Sequence, residues 1–183
     1  MKLLTSLVTF VCLTVTSLAF ASPELSYSVL QKHGNIELRQ YGSFLTASVS
    51  FNSNEELEEK GFDILADYIF GNNIPMTSPV FTGNQEKTWT MTFAMPSRYT
   101  IETLPRPVNK EIVIEEVPPR VMATIRFNGE KTQKRVSYFE KELRGWIIKK
   151  DLKIVGSAIY AGHNPPWTLP ENKRNEVLFE ISQ

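Results

Sequence analysis

Residues 36–51 read IELRQYGSFLTASVSF and residues 112–127 read IVIEEVPPRVMATIRF, so two similar segments align without a gap at an offset of 76 residues. In each segment apolar and polar residues alternate, a break follows, and the alternation resumes. The break is Gly42-Ser43 in the first segment and Pro118-Pro119 in the second. Alternation with a period of two is typical of a strand with one buried face, and glycine or proline pairs mark turns. The two segments therefore predict a strand, a break and a second strand, built twice.

Each copy leads into a stretch with the apolar spacing of a helix. In the first stretch Ser53 and Glu56 have the spacing of a capping box, and Gly71 is predicted to end the helix in a left-handed cap. The second helix is predicted over residues 132–149. One face of each helix is apolar, as expected for packing on a sheet. These faces comprise Leu57, Gly61, Ile64, Leu65, Tyr68 and Ile69 in the first helix, and Val136, Phe139, Leu143, Trp146 and Ile147 in the second.

Further strands follow each helix. They are predicted at residues 80–82 and 89–95, joined by a turn at Gly83-Asn84, and at residues 154–160 and 176–181. The chain thus consists of two internal repeats, at about 27–100 and 108–183. Two such units packed about an approximate twofold axis predict an α+β domain with one antiparallel sheet system and both main helices on its outside.

The N-terminal region has the pattern of a secretory signal peptide. Lys2 precedes residues 3–20, which carry no charge, and Ala19-Phe20-Ala21 suits a signal peptidase. A membrane anchor is the alternative, since the run has about the minimum length that spans a bilayer, but it is rich in Thr and Ser. We predict a signal peptide at residues 1–21, one domain at 22–183, export to the periplasm or the exterior, and no stable membrane insertion after cleavage.

Composition excludes several classes of function. The chain has 20 basic and 20 acidic residues without a basic block, which disfavours nucleic-acid binding. Its one cysteine, Cys12, lies in the predicted signal peptide, so the mature chain has no disulfide and no cysteine metal site. Phosphate-loop, zinc-protease and hydrolase-elbow motifs are missing. Glu115 and Glu116, as strand neighbours, are predicted to point to opposite faces, one at a buried edge and one exposed. These observations favour a binding protein over an enzyme.

Several segments resemble the SOUL haem-binding family, in the same order along the chain. They are NIPMTSPV at 73–80, FAMPSRY at 93–99 with PRP at 105–107, YAGHNPPW at 160–167 with RNEV at 174–177, and the opening YSVL at 27–30 with IELRQY at 36–41. The resemblance covers essentially all of the mature chain. It implies a distorted antiparallel barrel-like sheet and binding of haem or another tetrapyrrole. It also suggests a distant relation to regulator domains that hold bulky apolar, often cationic, molecules.

Because the mature chain has no cysteine, haem would be held without a covalent link. Its two histidines are candidate iron ligands. His33 precedes Gly34-Asn35 and is predicted in an exposed hairpin turn, so His163, in the proline-rich loop beside Trp167, is the better candidate. Met76 and Met95 are further candidates because a thioether can ligate haem iron, but packing or lining of the pocket is the favoured role because methionine more often fills apolar space.

A porphyrin also needs an apolar surface for its faces and cations for its propionates. Lys173, Arg98 and Arg174 are candidate cations, with an ion pair to Glu176 as the alternative for Arg174. Ordinary core packing is the alternative for the helix residues. The predicted ligand contacts are Phe62, Leu65, Ile69, Met76, Met95, Arg98, His163, Trp167 and Arg174.

Three functions are compatible with the sequence. The first is an exported, non-covalent haem or tetrapyrrole binder for scavenging, buffering or transport. The second is a carrier for another bulky apolar or cationic small molecule, with an acid such as Glu37 or Glu102 facing the ligand. The third is an enzyme acting on tetrapyrroles, for example by removing iron.

Overall fold

The computed structural model describes residues 23–165 and 167–182, and the predicted signal peptide with Cys12 lies outside this range. The strands are β1 (Tyr27–His33), β2 (Ile36–Tyr41), β3 (Phe44–Phe51), β4 (Val80–Gln85), β5 (Thr88–Ala94), β6 (Val113–Val117), β7 (Arg120–Asn128), β8 (Ile154–Gly162) and β9 (Arg174–Ile181). The first helix has three consecutive segments, Asn54–Glu56, the π-helical Leu57–Gly61, and Phe62–Gly71. The second helix is Gln133–Lys149, and a short 3₁₀ turn, Pro170–Asn172, precedes β9.

All nine strands form one antiparallel sheet that curls into a half-barrel, in the order β1-β2-β7-β9-β8-β4-β5-β3-β6. β4 and β8 pair at its middle. The strands on either side of this pair correspond in the two repeats: β2 to β6, β3 to β7, and β5 to β9. The order therefore has an internal twofold relation, and among the strands that the structure describes β1 alone has no counterpart in the other repeat.

The repeats exchange their first strands. β2 pairs with β7 and β6 pairs with β3, so neither strand pairs with the strand that follows it in its own repeat. Arg39 lies opposite Met122 in one half and Glu115 lies opposite Thr46 in the other, and these pairs coincide at the offset of 76 residues. The predicted α+β class and duplicated antiparallel sheet are thus confirmed, with both helices outside the sheet.

Both helices pack on the convex face of the sheet. Leu57 and Leu65 of the first helix have no exposed surface, and they pack with residues of β3 and β5. Leu143 and Ile147 of the second helix have none either, and they pack with β7 and β9. Oγ of Ser53 accepts a hydrogen bond from the backbone N of Glu56 (3.2 Å), as the predicted cap requires. Among the described residues, no helix is long and apolar enough to cross a bilayer.

The predicted turn at Gly83-Asn84 is wrong. β4 continues through these residues to Gln85 because Gly83 has partners on both sides, Thr90 on β5 and Ile159 on β8. The chain turns instead at Glu86 and Lys87, whose φ values are 49° and 71°. Gly83 therefore lies inside the sheet, and because it has no side chain it leaves space on the concave face.

The first helix ends at Gly71, as predicted, but Gly71 is not the left-handed residue. Asn73, with φ of 55°, takes that conformation two residues later. Asparagine tolerates the left-handed region better than most residues. Its position lets the backbone N of Ile74 donate to the carbonyl of Ile69 at 2.7 Å, which satisfies one of the carbonyls at the helix end.

Candidate ligand-binding groove

The concave face of the half-barrel forms an open groove with a volume of about 480 Å³. Strand residues alternate between faces, so the groove receives the side chains that do not pack under the helices. Six large apolar and aromatic residues are among those that line it: Tyr41, Phe44, Phe81, Met122, Ile159 and Leu178. A volume of this size, with aromatic walls, is in the range of small-molecule sites.

Few charged groups line the groove. Arg120 Nη1 donates to Glu180 Oε2 at 2.9 Å, and both side chains of this pair are partly exposed. Glu115 is exposed on β6 and forms no ion pair with any residue that the structure describes. The groove thus offers an apolar floor, one neutralised ion pair and one carboxylate without a counter-ion.

A second cavity, of about 620 Å³, adjoins the groove, and Leu25 and Phe44 line both. Its wall includes Met95 and the exposed Arg98, which belong to one of the segments that resemble the family. Arg98 Nη2 donates to the Tyr99 hydroxyl at 3.2 Å, and the guanidinium lies 4.9 Å from the Tyr99 ring centroid. Arg98 is therefore a cation that makes no ion pair among the described residues.

A buried ionic network lies on the same face of the sheet as the groove. Arg39 Nη1 and Nη2 donate to the two carboxylate oxygens of Glu176 at 2.9 and 3.0 Å, and these side chains are 3% and 1% exposed. Arg174 Nη2 donates to Glu176 at 3.0 Å and Nη1 donates to Glu24 at 3.1 Å. Glu37 accepts from Arg39 at 2.9 Å. Each buried charge is compensated, as burial requires.

His163 belongs to this network. Its side chain is 5% exposed, and Nε2 lies 3.1 Å from Oε2 of Glu176. The approach is close but poorly directed, so neither ring nitrogen completes a hydrogen bond with a described residue. The imidazole edge nevertheless stays in close polar contact with the carboxylate.

Tyr41 connects the network to the groove. Arg39 Nη1 lies 3.4 Å from the Tyr41 hydroxyl, while the Tyr41 ring lines the groove. Burial raises the pKa of Tyr41 to about 12, despite the opposing effect of Arg39. The phenol is therefore neutral at physiological pH.

The buried network makes the free energy of unfolding depend on pH in the acidic range. Burial would raise the pKa of Glu176, but the contact with His163 and the hydrogen bonds from Arg39 outweigh burial and hold it well below its ordinary value of 4.5. Near pH 4.5 the Glu176 carboxylate therefore binds a proton in the unfolded chain but stays ionised in the folded protein. Because the unfolded state binds more protons, we expect the free energy of unfolding to fall as pH drops below about 4.5. Urea unfolding along a pH series measures this decline. Glu176→Gln should make it shallower, and equal slopes in both proteins would contradict the assignment.

The predicted site residues fall into separate places. Leu65 and Ile69 are fully buried under the first helix, on the convex side, and Phe62 packs edge-on against Phe93 with ring centroids 5.5 Å apart. Half-buried Met76 joins the same cluster, and buried Met95 belongs to it and to the second cavity. Their roles as ligand contacts stay predictions.

The remaining predicted residues lie on the other side of the sheet or in loops. His163 and Arg174 both contact Glu176 in the buried network. The ion pair between Arg174 and Glu176 is the alternative that the sequence offered to a propionate contact of Arg174. Trp167 is 84% exposed in the loop before β9. His33 is exposed beside the Gly34-Asn35 turn, as predicted.

The prediction for Glu115 and Glu116 is half right. The two side chains do diverge, because Glu115 lines the groove and Glu116 lines the second cavity. Neither is buried, however, since β6 is the last strand of the sheet and is covered on one side only.

Sequence reasoning missed the groove itself. The signal was present in β7, whose residues Val121 to Ile125 are all buried, so that both faces of the strand are covered. A strand of this kind indicates a second apolar surface besides the helix-packing core. Met122 is the groove residue that this pattern identifies.

Several solved structures have a fold similar to that of this chain. The solved structures include the C-terminal domain of EcmrR (13% identity, TM-score 0.63, covering 86% of this chain and 98% of that chain). A hydrolase from Listeria innocua (10% identity, TM-score 0.58, 89% and 95%) and SAV2435 bound to tetraphenylphosphonium (9% identity, TM-score 0.51, 80% and 93%) are also similar. At these identities the likeness shows the fold alone. A search of curated proteins found no match.

The fold defines the class, a duplicated α+β half-barrel with a groove on its concave face. The family model for the SOUL heme-binding protein matches residues 22–180, nearly the whole chain. The chain therefore belongs to the SOUL heme-binding family.

Proposed function

We propose that this chain binds haem or a related tetrapyrrole without a covalent link, in the groove on the concave face. The observation that carries the proposal is the open, aromatic-lined space of about 480 Å³. Family membership supports the ligand class. The predicted signal peptide extends the proposal to an exported protein that scavenges, buffers or transports the ligand.

The groove residues suit a tetrapyrrole in two respects. The side chains of Phe44, Phe81 and Met122 offer apolar contact for the faces of a flat ring. Arg120 uses Nη1 for its ion pair with Glu180, and the other N–H groups of its partly exposed guanidinium could donate to a carboxylate such as a propionate. Neither histidine of the described chain lines the groove, so the faces and propionates of the ring would contribute most of the binding.

A haem titration followed in the Soret region tests the site. A Cβ at Gly83 would meet only the carbonyl oxygen of Ala158, at 3.9 Å, so there is room to attach a side chain, and Gly83→Leu adds one at the groove. Gly42→Leu adds one at the second cavity, where a Cβ meets nothing within 4 Å. We expect Gly83→Leu to weaken haem binding by at least about tenfold, or ~1.4 kcal/mol, and Gly42→Leu to leave it unchanged.

Other outcomes of the same titration contradict parts of the proposal. Weakening by Gly42→Leu alone would move the ligand to the second cavity, beside Met95 and Arg98. Loss of a sharp Soret shift in His163→Ala would make His163 the axial ligand, which requires its ring to leave Glu176. If the Soret band of haem shows no saturable change with the unsubstituted protein, haem is not the ligand.

One observation favours a second ligand class. Glu115 is a groove carboxylate without a described counter-ion, and such a group attracts an apolar cation. SAV2435, which shares the fold, is described as bound to tetraphenylphosphonium. Tetraphenylphosphonium added to the haem complex separates the two classes. Displacement of haem that disappears in Glu115→Gln would favour the cation, and an unchanged Soret band would favour the tetrapyrrole.

A further inference from the structure

The outer edge of β6 is open. β6 is the last strand of the sheet, and its one described strand partner is β3. Val113, Glu115 and Glu116 are all exposed, with 49% of Val113 accessible. An edge strand presents backbone N–H and C=O groups that can pair with another extended chain.

The protein itself shows how this edge is filled in the other repeat. β2, the counterpart of β6, is covered on its outer side by β1, which pairs with it antiparallel. Val29 of β1 lies opposite Arg39, and Ser28 lies opposite Gln40. The offset of 76 residues maps Arg39 to Glu115 and Gln40 to Glu116. A strand that repeats the geometry of β1 would therefore have two adjacent residues opposite two glutamates.

We infer that the β6 edge docks an extended segment of a partner protein, antiparallel to β6, with lysine or arginine opposite Glu115 and Glu116. Backbone hydrogen bonds supply the pairing and the two carboxylates select the occupant. β1 already shows one such cross-strand ion pair in this fold, because Lys32 Nζ lies 2.8 Å from Glu37 Oε1.

Charge argues against a second copy of this chain as the occupant. A second copy paired through β6 would bring the glutamates of both chains together, and like charges on paired strands are destabilising. A purely protective role of the glutamates, which discourages any edge pairing, predicts that a basic extended peptide will not pair either. The three readings therefore give different results with the same probe.

The probe is the acetylated and amidated peptide Thr-Val-Lys-Lys-Thr-Val-Thr, whose lysines face Glu116 and Glu115 when the strands run antiparallel. We expect backbone amide shifts in NMR spectra that are centred on residues 113–117. Glu115→Lys combined with Glu116→Lys should lower the affinity for this peptide by about tenfold or more. The same double variant should bind Thr-Val-Glu-Glu-Thr-Val-Thr instead. Asp63→Lys with Asp67→Lys changes the net charge equally on the exposed side of the first helix and should leave binding unchanged.

Two further controls separate strand pairing from simple attraction. Thr-Pro-Lys-Lys-Pro-Val-Thr keeps the charge, and because its prolines are three positions apart, one of them removes a backbone donor that faces β6, so this peptide should bind about tenfold more weakly. Equal binding of this peptide would overturn the inference, as would the absence of shifts at millimolar peptide. Gly83→Leu should not affect the peptide, and shifts confined to groove residues would also overturn the inference. A dimer in sedimentation that the peptide disrupts would assign the edge to a second copy.

Discussion

Replacing Glu176 by leucine is expected to lower the free energy of unfolding by about 3–5 kcal/mol, the range for breaking a buried ion pair from one side. The substitution leaves the Arg39 guanidinium, 3% exposed, with Glu37 as its remaining carboxylate. It also removes the ion pair between Arg174 and Glu176 and the contact of the His163 side chain with Glu176. Thermal and urea unfolding measure the loss, with the unsubstituted protein as reference.

Glu180→Leu is a matched control on the same strand. Glu180 pairs with Arg120 at 2.9 Å, but the two side chains are 32% and 25% exposed, so this ion pair should contribute only about 0–1 kcal/mol. Arg39→Met together with Glu176→Leu should recover much of the loss, because the charges are then removed together. A loss from Glu176→Leu no larger than that from Glu180→Leu would show that the network does not stabilise the fold.

The network also connects β2 with β9, which do not pair directly because β7 lies between them, and it draws in residues next to β1 and β8. Glu24 precedes β1, Arg39 lies on β2, His163 follows β8, and Arg174 and Glu176 open β9. Leu25, next to Glu24, lines both cavities. Loss of Glu176 should therefore loosen the segment that forms the wall between the groove and the second cavity.

The duplication was predictable because each repeat carries its pattern locally. The alternation from Ile36 to Phe51 and from Ile112 to Phe127 can be recognised from neighbouring residues alone, and the breaks within it are Gly42-Ser43 and Pro118-Pro119. The exchange of β2 and β6 between the halves was not predictable in this way. Strand pairing depends on contacts across the whole chain, and alternation says nothing about which neighbour a strand takes.

The candidate site was harder to predict for a related reason. Arg39 and Glu176 are 137 residues apart in sequence, and neither belongs to a motif that indicates their contact. The pair of Arg174 and Glu176 was foreseen because the two positions are two residues apart and therefore share one strand face. The apolar stripe of the first helix gave the stronger signal, so reasoning from sequence directed the ligand to the helix, whereas the open groove lies across the sheet.

Leu65→Ala tests that difference with a second large effect. Leu65 has no exposed surface and packs between the first helix and the sheet, so its truncation should cost about 2–5 kcal/mol of unfolding free energy. Phe70→Ala, on the same helix at 60% exposure, should cost far less.

If the ligand binds in the groove, Leu65→Ala should bind haem with unchanged affinity at temperatures where it is folded, because the sheet separates Leu65 from that face. A weakened Soret titration in folded Leu65→Ala, with Phe70→Ala unaffected, would instead place the porphyrin against the helix. In that case the ligand would have to open the helix–sheet core in order to enter. Such an opening exposes buried apolar surface in the free protein, which hydrogen exchange at the first helix, with and without haem, would then detect.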